Sequence, residues 1–400
     1  MMDREPGRRS FAAIDLGATS GRIMLDDGSG TLREIHRFPT PLLRRKEAIY
    51  WDFGKLFSGV LTGLGKLPVR PAAVSCDSWA QDFGMLDERG GSIADPISYR
   101  DKGSAIYTGD RLRYIEEKFP ERFARARRIL HIADLVHFRL CGAARSSYPL
   151  AAFGRMPLDH PLLSPLADGE VIGSVDHPAL PGLSGVPVIS GAGHDTAAAV
   201  VGSGIRRGEV LISLGTWLMA AEMIEEGAVV PEKFSLLPLP GRRAARTRGG
   251  MGLWPFQQCV KIWKERGDFP GYAALDAAAE AVGGDDLIDP DAPELFSPEN
   301  MEEAVCALAG KPLTPPEITA RLIRGAARRT AETVGAFGTD FRRAVLVGGA
   351  AGSGFIRRLV ASALPCPMSV GSTEAAAAGN IAVQRAVWEK SFGKEEQEAR

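Results

Sequence analysis

The sequence predicts an α/β protein, and two patterns along its 400 residues support that class. Short apolar segments typical of buried strands alternate with segments of helical period, which is the pattern of a sheet packed against helices. A strand that runs into a Gly/Thr turn opens the chain and recurs in its second half. We therefore expect duplicated lobes, and the length fits two domains or three.

The opening strand is predicted at residues 11–15, and a Gly-containing turn leads to a second strand at 22–25 that returns from it. Further short apolar strands are predicted at 72–76 and 187–190. Each of these runs directly into a polar or Gly-rich segment. Because functional loops commonly follow buried strands, polar side chains at these strand ends are candidate site residues.

The second half of the chain repeats the strand-and-turn pattern. An apolar strand at 209–214 ends in the Gly-Thr pair at 215–216. A buried strand is predicted at 343–347 and leads into the Gly-Gly turn at 348–349, and a helix is predicted at 355–364. These strands and helices complete the α/β pattern.

Two helices are predicted with defined ends. One begins near Thr314, with Pro315 at its first position and Glu317 in the place that completes a capping box. The last helix begins near residues 373–374 and contains four consecutive alanines followed by Gly379. We expect that glycine to allow close approach to another backbone.

The composition indicates a protein that handles small molecules. The formal net charge is −1 and no long Lys/Arg run occurs, so neither nucleic acid nor a membrane surface is an expected partner. The five cysteines show no metal-ligand spacing, which is typical of reduced thiols in a cytoplasmic protein. Residues 1–10 lack the apolar core of a signal peptide, and no apolar run is long enough to span a bilayer.

The segment from Asp15 to Arg22 contains the groups that hold a phosphate and a metal ion. Its turn offers backbone amides, Thr19 and Ser20 offer hydroxyls, and Arg22 offers a guanidinium. The Asp15 carboxylate can hold hydrated Mg²⁺. The sequence contains no GxxxxGK[ST] or GxGxxG motif, so a nucleotide would need another scaffold. A plain hairpin with turn-forming residues is the alternative.

The loop after the predicted strand at 187–190 contains Gly193, His194, Asp195 and Thr196. A sugar alcohol is a poor nucleophile, and phosphoryl transfer to it needs a carboxylate that accepts its proton. Asp195 is the candidate for that base. The alternative is that Asp195 caps the helix that follows.

Carboxylates, an amide and two aromatic side chains alternate between Asp77 and Phe83, just after a strand. This mixture binds sugars, because polar groups take up hydroxyls and aromatic faces pack on C–H surfaces. A half-buried strand with alternating sides would give the same pattern. Further along the chain, the 215–216 pair offers a hydroxyl and an amide to phosphate, and the 348–349 turn allows an adenine ring to approach the backbone, although such turns are common.

The motifs also form an ordered set that covers most of the chain. In chain order they are DLGATSGRIML from Asp15, TLREIHRF from Thr31, CDSWAQDFGMLD from Cys76, PISYRD from Pro96, GHDTAAAV from Gly193, SLGTW from Ser213, MGLWPFQQ from Met251, VGGA from Val347 and TEAAAAGNIAVQ from Thr373. This set resembles the FGGY carbohydrate kinases, a branch of the sugar kinase, Hsp70 and actin superfamily. Within that family the motifs are most similar to those of the rhamnulokinase branch.

The resemblance implies two actin-like (ribonuclease H-like) lobes, with ATP and sugar bound in the cleft between them. The first lobe is expected at 1–200, the second at 201–390 and a charged tail at 391–400. The implied reaction transfers the γ-phosphoryl group of ATP to a primary hydroxyl of a ketose, with Mg²⁺ as cofactor and L-rhamnulose as the expected sugar.

Residues and resemblance together predict the site. Asp195 is the predicted catalytic base, and Asp15 is predicted to bind Mg²⁺ through water. The predicted sugar-binding residues are Asp77, Trp79, Ala80, Asp82, His194 and Thr196. The predicted nucleotide-binding residues are Ala18, Thr19, Ser20, Gly21, Arg22, Gly215, Thr216, Gln257, Gly348 and Gly349.

Three positions depart from the family pattern. Gly249 stands where rhamnulokinases usually have an Asn that binds substrate. The region 100–133 is much shorter than in the family, so the pocket is expected to be wider or to be closed by a partner chain, as in a homodimer. Ala350 replaces a third glycine, which is tolerable unless the backbone there needs a positive φ.

These departures keep two alternatives open. One is a kinase for another sugar or polyol, such as xylulose, fuculose or glycerol. The other is a non-catalytic sugar- or ATP-binding sensor of the same fold, against which the retained Asp195 argues.

Overall fold

The computed structural model describes residues 9–101 and 107–398. The chain divides into two compact units. The first comprises the described part of Met1–Gly202 together with Leu237–Ala244 and Ala376–Arg400, and the second comprises Ser203–Leu236 and Ala245–Ala375. Both units contain sheets and helices, which confirms the predicted α/β class. The predicted domain division at residue 200 stays a prediction, and the observed grouping adds two later segments to the first unit.

The first unit contains most of the strands in the described part of the chain. These are β1 (Phe11–Leu16), β2 (Ser20–Asp26), β3 (Leu32–Pro39), β4 (Leu42–Arg44), β5 (Ile49–Trp51), β6 (Ala73–Ser78), β7 (Phe83–Leu86), β8 (Arg128–His131), β9 (Ser146–Ser147), β10 (Leu166–Ala167), β11 (Val171–Ser174), β12 (Pro187–Ile189) and β13 (Gly193–His194). Its first helices are α1 (Phe53–Gly65), α2 (Thr108–Lys118), α3 (Pro120–Arg125), α4 (Ile132–Cys141), α5 (Tyr148–Phe153) and α6 (Asp195–Ser203).

The main sheet of the first unit has the order β11-β12-β6-β1-β2-β3, and β13 also pairs with β6. The central pair, β1 and β6, is parallel, whereas β1 and β2 form an antiparallel hairpin. This arrangement confirms the predicted opening hairpin. Because β6 and β13 both run parallel to their neighbours, their carboxyl ends meet at the same edge as the end of β1.

The second unit contains most of a sheet of order β16-β17-β15-β14-β18-β19. Its strands are β14 (Glu209–Leu214), β15 (Trp217–Ile224), β16 (Ser235–Pro238), β17 (Ala244–Met251), β18 (Arg343–Val347) and β19 (Met368–Val370). Its helices are α7 (Trp254–Arg266), α8 (Tyr272–Glu280), α9 (Met301–Ala309), α10 (Pro315–Gly335) and α11 (Gly354–Ala363). The predicted capping box of α10 is present.

The last helix is α12 (Ala375–Glu398). The period of two along β1 explains why this helix is needed. Phe11 and Ala13 pack in one cluster with Ala377 and Ile381 of α12. The alternate positions of β1, such as Ile14, pack on the other face in a cluster with side chains of α1 and α4. The central strand is therefore buried on both faces, as strands covered by two helix layers are.

Gly379 of α12 confirms the close approach predicted for it. A Cβ at this position would lie 1.8 Å from the backbone oxygen of Ala198 in α6, so any side chain would force the two helices apart. The tail predicted from residue 391 is helical through Glu398, because Lys, Glu and Gln favour helix. Among the described helices, none combines the length and apolarity needed to cross a membrane.

Candidate active site

The predicted site residues fall into two groups, one in each unit. The group in the first unit lies at the carboxyl ends of β1, β6 and β13. Asp15 and Asp77 are paired in the parallel register of β1 and β6, and Gly193 is paired with Asp77 on the other side of β6. The topology therefore brings together three segments that are far apart in the sequence.

Asp15 is buried, with 4% of its surface exposed. Arg22 lies opposite it in the β1–β2 register, and its Nη2 donates a hydrogen bond to Asp15 Oδ2. Burial raises the pKa of Asp15, the positive charge of Arg22 opposes that rise, and the charge of Asp195 adds to it. The hairpin thus holds one carboxyl and one guanidinium side by side.

Asp195 is the first residue of α6, directly after β13. Its Oδ1 accepts hydrogen bonds from the Thr196 backbone N at 2.5 Å and from Thr196 Oγ1 at 3.1 Å. Burial raises the pKa of Asp195 to about 6, and these two hydrogen bonds oppose the rise. About 33% of the side chain remains exposed, so the carboxyl can still reach a ligand. A carboxyl with this pKa is ionised at neutral pH and is a stronger base than an exposed aspartate.

His194 lies next to this carboxyl, with its Nε2 3.3 Å from Asp195 Oδ1. Burial lowers the pKa of His194 to about 4, so the imidazole is neutral at physiological pH. Its ring packs on Phe153, with ring centroids 5.0 Å apart. A neutral, buried ring of this kind offers a hydrogen-bonding nitrogen without adding charge.

Asp77 has no exposed surface. Its Oδ2 accepts a hydrogen bond from Asn380 Nδ2 at 2.6 Å, whereas its Oδ1 has no hydrogen-bond partner among the described residues. Burial raises the pKa of Asp77 well above its ordinary value, and the charge of Asp15 raises it further. A buried polar atom without a partner is costly, so it marks a place where a ligand is expected.

The aromatic part of the predicted sugar site forms a buried cluster. The indole nitrogens of Trp51 and Trp79 donate to Asp82 Oδ2 at 2.5 and 2.8 Å. Arg111 Nη2 lies 2.9 Å from Asp82 Oδ1, and both side chains are buried. Ala80 is also buried. The polar atoms of Trp79 and Asp82 are thus occupied by protein partners, and their direct contact with sugar stays a prediction.

The predicted phosphate loop is the turn between β1 and β2. The Gly17 backbone N donates to the Ser20 backbone O at 3.1 Å, which closes the turn, and Thr19 at its tip is exposed. A Cβ at Gly21 would lie 2.5 Å from the ring of Phe38, so the strand packs closely at this point. Arg100 donates to the backbone O of Ala18 at 3.1 Å.

The group in the second unit centres on the turn between β14 and β15. Thr216 Oγ1 donates to Gln257 Oε1 at 2.8 Å. The backbone N of Leu253 donates to the Gly215 backbone O at 2.7 Å, which ties the start of α7 to the same turn. The structure therefore joins Gly215, Thr216 and Gln257, which are far apart in the sequence, in one local arrangement.

The glycine turn after β18 belongs to the same unit. Gly348 has a φ of 81°, a conformation that favours glycine. A Cβ at Gly349 would meet nothing within 4 Å, so its backbone is open to a flat ring. Ala350 is not among the residues of positive φ. Its substitution for glycine therefore causes no backbone strain.

Gly249 lies in β17, and the structure explains the missing side chain. A Cβ at this position would lie 2.7 Å from the backbone O of Leu218. An Asn could not replace Gly249 without moving the neighbouring strand β15. The close packing of β15 against β17 at this position is thus consistent with the absence of a side chain at residue 249.

The short region at 100–133 forms α2, α3 and β8, and its residues 102–106 lie outside the described part of the chain. A cavity of about 450 Å³ lies beside α2, with Tyr107, Arg113 and Arg155 in its lining. The ring of Tyr107 packs on Phe153, the same residue that packs on His194. Phe153 therefore lies between Tyr107 of the cavity lining and His194, which precedes the predicted base.

The comparisons with known proteins bear on this geometry. A family model described as the C-terminal domain of the FGGY family of carbohydrate kinases matches residues 210–388. A rhamnulokinase of Klebsiella pneumoniae strain 342 is 31% identical over 94% of this chain and 89% of its own length. The chain belongs to the FGGY family of carbohydrate kinases. As a member, this kinase is a phosphotransferase whose acceptor is a sugar hydroxyl.

Solved structures of sugar kinases share the fold of this FGGY kinase. The xylulose kinase of Rhodospirillum rubrum superposes with a TM-score of 0.74 at 18% identity, over 96% of this chain and 92% of that chain. The gluconate kinase of Lactobacillus acidophilus gives a TM-score of 0.76 at 16% identity, over 96% and 90% of the two chains. At these identities the likeness establishes the fold and leaves the sugar open.

Sequence reasoning missed the side chains that hold the predicted site of this kinase in place, namely Trp51, Arg111, Asn380 and Gln384. The first two lie outside any motif that suggested sugar binding. A signal for the last two was present, because an Asn and a Gln four residues apart in an Ala-rich helix share one face.

A divalent metal is the cofactor that the family implies. The side chains available as ligands determine how such a metal could bind. Within the described residues, no three His, Cys, Asp or Glu side chains are grouped so as to hold a metal ion. The buried carboxyl of Asp15 and the unpartnered Oδ1 of Asp77 fit a cation that keeps its water shell. Mg²⁺ commonly binds in this way.

Proposed function

We propose that this kinase transfers the γ-phosphoryl group of ATP to a primary hydroxyl of L-rhamnulose, forming L-rhamnulose 1-phosphate and ADP. The observation that carries the reaction is the partly exposed carboxyl of Asp195, with its pKa of about 6, at the edge of a sheet that also bears Asp15 and Arg22. The similarity to rhamnulokinases over 94% of the chain supports the choice of sugar. We propose a cytoplasmic enzyme with small molecules as its partners.

In the proposed reaction Asp195 accepts the proton of the sugar hydroxyl while that oxygen forms its bond to the γ-phosphorus. The bond from phosphorus to the β,γ-bridging oxygen breaks, and ADP leaves. His194 and Thr196 lie on either side of the base in the sequence and are proposed to hold neighbouring sugar hydroxyls. Positioning of this kind supplies much of the rate in phosphoryl transfer.

Each predicted group is proposed to offer its own contacts to the nucleotide. The turn from Ala18 to Gly21 and the Arg22 side chain would hold phosphate oxygens by amides, hydroxyls and charge. Thr216, oriented by Gln257, would donate to a second phosphate oxygen. The open backbone at Gly349 would lie against the adenine. When bound, Mg²⁺ neutralises charge on the phosphates, and Asp15 is proposed to hold it through water.

A kinase for another ketose or a polyol is the second candidate, and the packing at Gly249 favours it. The Asn that rhamnulokinases usually carry here would require β15 to move, because its Cβ would lie 2.7 Å from the Leu218 backbone O. Xylulose, fuculose and glycerol are the acceptors to compare, because each offers a primary hydroxyl but a different pattern of neighbouring hydroxyls.

The test is a coupled assay of ADP release from Mg²⁺-ATP with a panel of ketoses, aldoses and polyols. The Asp195→Asn variant serves as the blank, because it keeps the size of the side chain and removes the base. Mass spectrometry of the product separates sugar phosphorylation from simple ATP hydrolysis. The highest kcat/KM with L-rhamnulose supports the proposal.

A higher kcat/KM with another acceptor would overturn the assignment of the sugar and keep the kinase. No turnover with any acceptor, together with measurable ATP binding, would favour a binding protein of the same fold and sink the proposal.

A further inference from the structure

A chain of buried side-chain amides leads from α12 to the acidic edge of the first sheet. Gln384 Nε2 donates to Asn380 Oδ1 and to the Ala12 backbone O, both at 3.0 Å. Asn380 Nδ2 donates to Asp77 Oδ2 at 2.6 Å. Asn380, Gln384 and Asp77 have no exposed surface. The chain thus connects the backbone of β1 to a carboxyl of the candidate site.

The order of donors in this chain is determined by its geometry. Because Gln384 donates to Asn380 Oδ1, the amide nitrogen of Asn380 is directed at Asp77. The carboxyl of Asp77 is then held by one oxygen, and the other oxygen, Oδ1, is left without a hydrogen-bond partner in the described part of the chain. Two side-chain amides therefore determine which oxygen of Asp77 is free.

Packing alone does not account for these polar residues. The neighbours of Asn380 on the same helix, Ala377 and Ile381, are apolar and belong to the cluster that covers β1. Burying an amide is costly unless it is hydrogen-bonded, and an apolar pair of similar size would cover the sheet equally well. The arrangement is explained if the position of the Asp77 carboxyl matters for the reaction.

Asp77 is placed where it can act together with Asp15. The two residues are paired in the register of β1 and β6, and the period of two puts both on the sheet face that α12 covers. Gly191, in the loop that leads to Asp195, lies against the same amide, because a Cβ there would be 3.2 Å from Asn380 Oδ1. The amide chain thus supports two segments of the candidate site.

We propose that Asn380 and Gln384 are positioning residues: they hold the Asp77 carboxyl so that its free oxygen joins Asp15 in binding the water shell of the divalent cation. This inference rests on the proposed function and extends it to a helix that carries none of the predicted site residues. Residues that orient the groups around a metal commonly change its affinity 10- to 100-fold when they are replaced.

The first measurement is the binding of Mn²⁺, used as a paramagnetic probe, in the presence of a non-hydrolysable ATP analogue and without sugar. In Asn380→Leu, which keeps the volume and removes the donor, we expect the dissociation constant of Mn²⁺ to rise roughly 10-fold or more. Gln384→Met should give a smaller rise in the same direction. The Mg²⁺ concentration for half-maximal turnover should rise in parallel, while kcat at saturating Mg²⁺ falls less.

A swapped pair separates positioning from stability. In Asp77→Asn with Asn380→Asp, an amide and a carboxyl still face each other, so a merely structural bond would be restored. The negative charge is moved away from Asp15, however, so the affinity for Mn²⁺ should stay low while the melting temperature recovers relative to Asn380→Leu. Recovery of Mn²⁺ affinity in the swapped pair would overturn the inference.

Unchanged Mn²⁺ affinity in both single variants, with only a lower melting temperature, would also overturn it. Because this readout needs no sugar, it distinguishes the inference from the proposed function. A wild-type protein that binds Mn²⁺ with the nucleotide analogue but phosphorylates no acceptor would sink the proposed function, while the Mn²⁺ affinities of the variants would still support or overturn the inference.

Discussion

Asp15 and Asp77 occupy paired positions on two parallel strands, and both carboxyls are buried. Arg22 donates a hydrogen bond to Asp15 and its positive charge also acts to lower the pKa of Asp77, which accepts its hydrogen bond from the neutral amide of Asn380. The two carboxyls therefore share a location and differ in their electrostatic support. Groups held in this way are typical of sites where a cation or a developing charge is bound.

The most direct prediction concerns Asp195. Replacement by Asn should lower kcat by roughly 10²- to 10⁴-fold, because a positioned general base contributes about that much. Binding of ATP should survive, since the nucleotide is proposed to bind through other residues. Steady-state kinetics and calorimetric titration with ATP measure the two effects. Asp27→Asn, on an exposed turn, is the matched control and should leave both unchanged. Retention of most of kcat in Asp195→Asn would rule out this residue as the base.

The pH dependence of turnover follows from the pKa of Asp195, which burial raises to about 6. The base acts in its ionised form, so kcat/KM should fall about tenfold for each pH unit below 6 and level off above it. A profile of kcat/KM against pH from 4.5 to 8.5 measures this. A profile that stays flat down to pH 4.5 would contradict the assignment.

The same pKa makes a prediction about stability. Because the folded state binds this proton more tightly than the unfolded chain, its contribution to stability is complete below the unfolded pKa near 3.8 and is lost as pH rises to about 6. Asp195→Asn should therefore be more stable than the wild type at pH 7. We expect roughly 1–2 kcal/mol after allowing for the exposed third of the side chain, and a difference near zero at pH 4. Urea denaturation at the two pH values tests this.

The family resemblance alone would predict that an Asn at position 249 improves sugar binding, whereas the packing around Gly249 predicts that it lowers the stability of the protein. Restoring the usual residue by Gly249→Asn should destabilise the protein by about 1–3 kcal/mol, because the new Cβ would be 2.7 Å from the Leu218 backbone O. The KM for the sugar should not improve. Gly283→Asn is the control, since a Cβ there meets nothing within 4 Å. Tighter sugar binding with unchanged stability would contradict this prediction and would show that β15 can move to make room for the Asn side chain.

The ion pair of Arg111 and Asp82 should matter for folding far more than an exposed pair. Arg111→Met leaves a buried carboxylate without its partner and should cost about 3–5 kcal/mol. Arg207→Met removes a pair whose side chains are 67% and 70% exposed and should cost less than about 1 kcal/mol. Denaturant unfolding compares the two. Equal losses would mean that the buried pair contributes little.

Local sequence was sufficient to predict most of the elements that position the site. The predicted strand at 209–214 coincides with β14, and the capping box at Thr314 and Glu317 is formed as expected. Strand and helix periods, turn residues and caps act over a few neighbouring residues, so the sequence displays them directly. The ordered motifs predicted the family for the same reason, because each is a short contiguous segment.

Contacts between distant segments could not be predicted in this way. The residues around Asp77 in the sequence do not indicate that Asn380 donates a hydrogen bond to it. The residues around Asp82 likewise do not indicate that Arg111 pairs with its Oδ1. Similarly, nothing local to Gly249 indicates that β15 approaches it so closely that a Cβ would lie 2.7 Å from the Leu218 backbone O.

By itself the sequence determined the α/β class, the opening hairpin, the family and the residue types available for chemistry. Only the tertiary structure decided which of those residues lie side by side, which carboxyl keeps a free oxygen, and why the pKa of Asp195 is raised. The physical reason is that hydrogen bonds, burial and charge act through space. The Asp77 carboxyl on β6 therefore accepts a hydrogen bond from the amide of Asn380, which lies 303 positions later in the chain.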